Sequence, residues 1–519
     1  MRAEPVGPRT GWGSVAGVTS SEPRPTVPSG SRRAGRRRVP APLAYLLGAV
    51  LLVTLTWAYV IPPWQAPDED HHFAYVQTLG EGLGLPGDED RPEQSTEQRL
   101  ATSRSNAEQT AQVLITELEW SETAYRRWQR DDGALPPGAR RDGGGVNPAS
   151  TNPPLYYFVA WVPYQLARSG DVFARLYLGR AFSALFLLAT VTFAWLLAGE
   201  VFGPRRPLQL ATAAVTGLEP MMTFISGSLN PDSMLYAVWA LALWLGVRLL
   251  RRGLTAGRGI AFFAAVGVGT LVKATTLVML PGALLVLAVG VVRRRGEGRR
   301  GAVLSGVAAL GALGVLAGGW LVATTALGRP ALFQIGTTED AVPPESPVRL
   351  LASYLWQFYL PKLPFQQEFT GFPPLPVYDF WIKQGWGAFG SLEVALPEPV
   401  YLLLAAVTAT TLVAGVVALV RAGRAGHVDW AVPAFFAVVA LGLLGGLHWT
   451  EYRLLVAVGG PFSQGRYLLP LVPLAGLAAA AALTLVPRRG RSAALAAGLG
   501  GLLAVQALSL AVVVGRFYA

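Results

Sequence analysis

Cysteine is absent from the 519-residue chain, which excludes disulfides, a thiolate nucleophile and Cys-ligated zinc. Charge is scarce: Asp, Glu, Lys and Arg make up 14% of the residues, against about 25% in a soluble globular domain. Lysine is nearly missing, with Lys273, Lys362 and Lys383 standing beside 40 arginines. The sequence holds no heptads, no internal repeat, and no P-loop, GxSxG or HExxH pattern. What it has instead is apolar: 52% of residues are hydrophobic, in several unbroken stretches near 20 residues. That combination excludes a soluble enzyme and predicts an all-α polytopic membrane protein. The net charge of +11 is scattered in short runs between apolar segments, so no nucleic-acid partner is expected.

Charge asymmetry sets the topology. Residues 1–40 are rich in Pro, Gly and Ser and carry eight Arg against two Glu; they read as a disordered basic cytoplasmic tail. The run Arg32-Arg33 and Arg36-Arg37-Arg38 directly precedes the first apolar span and places the N-terminus in the cytoplasm. That span is expected to be a signal anchor, because it is long, starts late and lacks a small-x-small cleavage site. Eleven spans are predicted, at 42–61, 176–198, 208–226, 232–250, 259–272, 274–292, 302–326, 398–420, 431–447, 466–486 and 492–515. Residues 153–168 are apolar but short, with Pro163 inside. Counted as a span they would turn five basic loops outward; counted as an interfacial helix they leave all five in the cytoplasm, as the charge rule requires.

The outer face then carries loop 62–151, the turns at 227–231 and Lys273, loop 327–397 and segment 448–465. Loop 62–151 holds 16 acidic and 8 basic residues. Loop 327–397 holds an aromatic stretch (Tyr354, Trp356, Phe358, Tyr359, Trp381, Trp386, Phe389) suited to a half-buried interfacial layer. Three structural regions follow: 41–326 as a core containing the first outer loop, 327–397 as the second outer loop, and 398–519 as the C-terminal helices. Long loops within a compact domain are usually functional, so chemistry is expected on the outer face of the cytoplasmic membrane.

The densest polar cluster, PPWQAPDEDHHF, starts at Pro62. Pro67 suits a first helical position and puts Asp68, Glu69 and Asp70 in the first turn, with Asp68 and His72 on one face. Gly80 and Gly82 end that helix. A carboxylate at the membrane surface with a histidine in reach suits a general base; good capping of a solvated helix is the plainer alternative. Asp68, Glu69, Asp70, His71 and His72 include metal-ligand types, but consecutive residues on one helix do not converge on a point, and a divalent metal stays an open alternative. Lys273, a lone ammonium between two apolar spans, suits either a substrate phosphate or snorkelling to ordinary lipid. Arg466 opens a span on the side where positive charge is disfavoured, so it serves either an anion or a carboxylate such as Glu451. Asn230 and Asp232 occupy an outer turn, where Asp232 is expected to cap the following helix. Arg175, Arg180 and Glu219 are interfacial or intramembrane charges, which are functional or paired with one another.

Taken in order, these motifs resemble the GT-C superfamily of membrane glycosyltransferases. More closely, the chain resembles a bacterial, actinobacterial domain-of-unknown-function family of predicted polytopic membrane proteins placed near that superfamily. Pro67-Asp68-Glu69 with His72 matches a signature of that family, and further matches follow at 152–158, 217–234, 269–281, 386–397 and 464–474. GT-C members often carry Lys or His where this chain has Asn152, which departs from the pattern and supplies no charge for a phosphate. The resemblance implies a sugar moved from a polyprenyl-phosphate donor to an envelope glycan or lipid acceptor, in contact with membrane lipids. Asp68 would be the base, Glu69 would orient the acceptor or the helix, and His72 would position Asp68. Lys273 and Arg466 would neutralise the donor phosphate; Asn152, Arg180, Glu219, Asn230 and Asp232 are further candidates by position and residue type, without a role that the resemblance assigns. A transporter or flippase of a lipid-linked glycan, and a non-catalytic glycan-binding protein, are the alternatives.

Overall fold

Twenty residues without a charge form the first helix, Ala41–Val60. At 1.5 Å per residue it is about 30 Å long, the thickness of a bilayer's hydrocarbon core. The structure is a computed structural model that describes residues 39–105, 107, 121–294, 298–326, 347–369, 371–457 and 464–518. The chain divides into two units, 1–40 and 41–519; the tail expected over 1–40 lies outside the described residues apart from 39 and 40.

Among the described residues, nine helices are long and apolar enough to cross a membrane. They are Ala41–Val60, Val172–Phe202, Pro231–Arg252, Ala274–Val292, Arg300–Ala326, Glu398–Arg424, Ala431–Val456, Gly465–Leu485 and Arg488–Phe517. The other two expected spans are present in altered form. Residues 208–226 are split into Arg206–Leu218 and Pro220–Ser226. Pro220 has no N–H to continue the ladder, and the Glu219 carboxylate caps the freed N–H groups of Met221 and Met222 at 3.1 and 2.7 Å. Residues 259–272 belong to the 17-residue helix Ala256–Val272.

Both altered pieces still run the length of the bundle. At one end Arg252 pairs with Glu200 at 2.8 Å and Arg293 with Asp429 at 2.6 Å. At the other end Leu229 donates to Glu69 at 3.0 Å and Lys273 pairs with Asp232 at 2.6 Å. The split helix and Ala256–Val272 each link these two ends, so the bundle has eleven traverses among the described residues. The expected span 431–447 continues helically to Ala457, so residues 448–457 are helix and not loop.

The helix Leu155–Leu166 has 12 residues, about 18 Å, too short to span. It lies along the helix Glu69–Gly80: Tyr157 Oη is 3.0 Å from His72 Nδ1, and Gln165 donates to the Gly80 carbonyl at 2.7 Å. Of loop 327–397, residues 327–346 and 370 lie outside the described residues. The rest includes the helix Pro347–Tyr359, the helical stretch Val377–Lys383 continued by Gln384–Gly387, and a small antiparallel pairing of Ala388–Phe389 with Val394–Ala395, a β element that an all-α expectation omits. Of its aromatic stretch, Tyr354, Phe358 and Phe389 are fully buried, whereas Trp356 and Tyr359 are exposed.

Two polar anchors fix the bundle around the site. Glu97, fully buried, accepts from Arg175 at 2.5 Å, Arg140 at 2.8 Å and Gln77 at 2.8 Å, tying the first loop to the helix Val172–Phe202. Gln506 on the last helix accepts from Trp57 Nε1 at 2.9 Å and donates to the Leu218 carbonyl at 3.1 Å and to Thr223 Oγ1 at 2.7 Å. It thereby satisfies the backbone left open by the helix break, as a lipid-surrounded backbone requires.

Candidate functional site

The chain leaves the first span through a tight turn in which Trp64 and Asp68 take φ of +66° and +60°. L-residues rarely adopt this left-handed region, and such strain persists only where the surroundings enforce it. Here the enforcing group is Arg180. It donates to the carbonyls of Ala58 at 3.0 Å, Ile61 at 2.6 Å and Pro62 at 3.0 Å, and to Glu69 Oε1 at 2.8 Å. Glu69 also accepts from the backbone N–H of Trp64 at 3.2 Å and of Leu229 at 3.0 Å. Both charged side chains are fully buried, so Glu69 has no free edge for a ligand. The helix starts at Glu69 and not at Pro67, which leaves Asp68 just outside it and turned toward the bundle.

Asp68 forms an ion pair with Arg466, whose Nη1 also donates to the Pro67 carbonyl at 3.4 Å. The Arg466 side chain is 4% exposed and the Asp68 side chain 45%, so the carboxylate stays open to an incoming group. Burial by itself raises the Asp68 pKa; the Arg466 guanidinium and, more weakly, Lys273 outweigh it and hold the carboxyl well below the usual carboxylate range. His72 is buried beside it, and burial pushes its pKa down to about 3, so it is neutral at physiological pH. The Tyr157 hydroxyl that meets His72 also accepts from Asn152 Nδ2 at 3.1 Å. Asn152 thus orients the histidine's partner.

Gly465 sets where Arg466 points. A Cβ there would stand 2.5 Å from the Phe380 carbonyl oxygen, and its N–H donates to Gln384 at 3.1 Å. Only glycine lets the second loop approach this closely.

Lys273 pairs with Asp232 at 2.6 Å. Asp232 does not cap its helix as the sequence led us to expect. Pro231 occupies the first helical position, so the cap falls to Asn230, which accepts from the Asp232 N–H at 2.9 Å and donates to the Pro67 carbonyl at 3.2 Å. Lys273 and Arg466 flank one ring: their charged groups lie 5.7 and 5.4 Å from the Tyr467 centroid. Both cations, with Asp232, Tyr236 and Thr275, line a small cavity walled by Leu235, Leu443, Leu447 and Pro470. Asp68 sits beside this cavity, across Arg466.

The structure therefore brings Asp68, His72, Lys273, Arg466, Asn230 and Asp232 to one end of the bundle. Glu69 and Arg180 stand behind them as a clamp, and Glu219 serves the helix break. The five consecutive residues 68–72 do not converge on an ion. A different set lies close together: Asp70, His71 and Glu93 offer ligand atoms within 4.8 Å of one another, with His71 Nδ1 held by Glu93 and lying 3.8 Å from Asp70. This mixed oxygen and nitrogen set fits several divalent ions. Sequence reasoning missed Glu93 because the loop that returns it to the helix has no periodic signal. It missed Tyr236 and Thr275 as cavity residues because nothing in their types sets them apart from ordinary helix residues.

No curated protein matches the chain. Several solved structures are similar, two of them of one protein. ArnT from Cupriavidus metallidurans bound to undecaprenyl phosphate shares 17% identity at a TM-score of 0.46, over 89% of this chain and 63% of that one. The same protein in the apo state shares 15% identity at a TM-score of 0.45, over 91% and 75%. The chain thus spans less than two thirds of the length of the first. A family described as predicted membrane protein (DUF2142) matches residues 51–475, a stretch that contains Asp68, Asp232, Lys273 and Arg466, and the chain belongs to that family.

Proposed function

We propose that the protein is a glycosyltransferase that moves a sugar from a polyprenyl-phosphate donor to an envelope acceptor on the outer side of the cytoplasmic membrane. The observation that carries this reading is the meeting of Asp68, Lys273 and Arg466 at one end of the bundle, although Asp68 and Arg466 are 398 positions apart. Two cations, each held by a carboxylate (Lys273 by Asp232, Arg466 by Asp68), over an apolar-walled cavity have a layout suited to meeting a lipid-borne phosphate and its leaving charge.

In the proposed reaction an acceptor hydroxyl attacks the anomeric carbon, the carbon–oxygen bond to the phosphate breaks, and the hydroxyl proton passes to Asp68. The electron pair leaves on the phosphate oxygen, where Lys273 and Arg466 meet the developing charge. Without donor, Arg466 restrains Asp68 and makes it a weak base. A donor phosphate competes for the same guanidinium and frees the carboxylate for the acceptor, which couples base activation to donor binding. Glu69 and Arg180 hold the turn that presents Asp68, and His72 packs behind it. Asp70, His71 and Glu93 would hold a divalent ion, if one binds, next to this turn, where it would add positive charge.

The test is transfer by purified protein in lipid vesicles. Asp68→Asn keeps the shape and removes the base, so product formation, followed by mass spectrometry, should fall at least 1,000-fold while insertion and folding persist. A deletion strain should accumulate the lipid-linked sugar. Transfer at the parental rate by Asp68→Asn would remove Asp68 as base.

A further inference from the structure

The cavity beside Lys273 and Arg466 contains more hydrogen-bonding groups than the free protein uses. Tyr236 Oη, on a residue 1% exposed, has no partner, and neither do the buried Thr275 Oγ1 and Arg466 Nε. Leaving a buried polar group unmet is costly, so each such group in a folded protein calls for an explanation. Three of them face one cavity together with the Lys273 ammonium.

Their placement is not accidental. Tyr236 follows Asp232 by four residues on the same helix, so the hydroxyl stands one turn from the carboxylate that holds Lys273. Thr275 lies two residues after Lys273, in the turn Ala274–Met279 that the lysine opens. Each cation therefore has an idle donor close by. Sugar hydroxyls would fill such positions too, but the Arg466 Nε–H and the Lys273 ammonium can only donate, and an anion with several acceptor oxygens meets cationic donors with charge-assisted hydrogen bonds that a neutral ligand lacks. The remaining wall, Leu235, Leu443, Leu447 and Pro470, is apolar and suits a hydrocarbon chain attached to that anion.

We infer that Tyr236 and Thr275 are phosphoryl-binding residues that complete, with Lys273 and Arg466, a four-sided cradle for the oxygens of a lipid phosphate monoester. The inference rests on the transferase reading for the identity of the donor, but it concerns binding alone and can be measured without turnover. On ligand arrival Tyr236 and Thr275 donate to phosphoryl oxygens, Arg466 adds its Nε–H, and Lys273 exchanges Asp232 for the phosphate.

The experiment uses the full chain in detergent micelles with undecaprenyl monophosphate as probe and inorganic phosphate as a second arm. Tyr236→Phe and Thr275→Val each remove one hydroxyl and little else. Each should weaken undecaprenyl monophosphate binding about tenfold, the loss expected for one hydrogen bond to an ionised oxygen. Neither should lower the melting temperature of the ligand-free protein, because neither hydroxyl has a partner there; a clear drop in either variant would show a structural role and overturn the inference. Inorganic phosphate should bind at least 100-fold more weakly than the lipid, and equal affinity would overturn the assignment of the apolar wall. Unchanged lipid affinity in both variants, with Lys273→Met losing it, would overturn the inference and leave the transferase reading standing. Retained affinity in Lys273→Met as well would remove the phosphate site from that reading.

Discussion

Asp68 gains its chemical character from three neighbours: the Arg466 guanidinium, the Lys273 ammonium and the uncharged imidazole of His72. The imidazole yields a pH signature. His72 has a folded pKa near 3 against the ordinary 6.5, so the unfolded chain takes up its proton first as the solution is acidified. Its contribution to stability is constant above about 6.5 and is lost as pH falls toward 3, at up to about 1.4 kcal/mol per pH unit. Replacing His72 by Gln should flatten the melting temperature against pH between 6.5 and 4, whatever constant offset the lost Tyr157 contact adds; a slope equal to the parent's would show that His72 does not titrate there. Of the residues at this end of the bundle, Asp68, Lys273 and Arg466 were legible in the sequence, because a charge at the edge of an apolar run has few physical excuses. Asp232 was misread as a cap, since Pro231 moves the cap to Asn230. Tyr236, Thr275 and Glu93 were not legible at all, because their relevance depends on which way a helix is rotated and where a loop returns.

The helix Val172–Phe202 carries two buried arginines, Arg175 on Glu97 and Arg180 on Glu69, and through them it holds two points of the segment 62–151. Breaking a buried ion pair by removing one partner leaves an uncompensated charge, at a cost of about 3–5 kcal/mol. Arg180→Met should therefore lower the melting temperature of the purified protein sharply, and adding Glu69→Gln should restore a good part of the loss. If the double variant is no more stable than Arg180→Met, the clamp is not what strains the turn at Asp68. The short helix Leu155–Leu166 was read as non-spanning from its length, its Pro163 and the loop charges, since a twelve-residue helix and five basic loops both oppose a crossing. The break at Glu219 was not foreseen as a break: an apolar window averages over a single Pro220, whereas the backbone does not.

At the scale of the whole molecule, the eleven spans read from hydropathy correspond to eleven traverses of the bundle, nine of them continuous helices long and apolar enough to cross a membrane among the described residues. Segment 448–457 was assigned to a loop because Glu451 and Arg453 interrupt its apolar character, yet it continues as helix. The absence of cysteine gives a direct measurement of sidedness. Asp88, half exposed in the segment 62–151, and His427, exposed near the arginine-rich end, can each be changed to a single cysteine against a thiol-free background. Asp88→Cys should react with a membrane-impermeant maleimide in intact cells, and His427→Cys only after permeabilisation. The reverse pattern would turn the bundle over and remove the outer-leaflet donor from the proposed reaction. Gln506 carries a further consequence, for biosynthesis. Trp57 emerges from the ribosome some 450 residues before the glutamine that satisfies its indole, and the Leu218 carbonyl also waits for that same side chain. A nascent chain that has not yet made the helix Arg488–Phe517 therefore carries an unmet indole N–H and an unmet carbonyl within the bundle, a cost that a lipid surrounding cannot relieve.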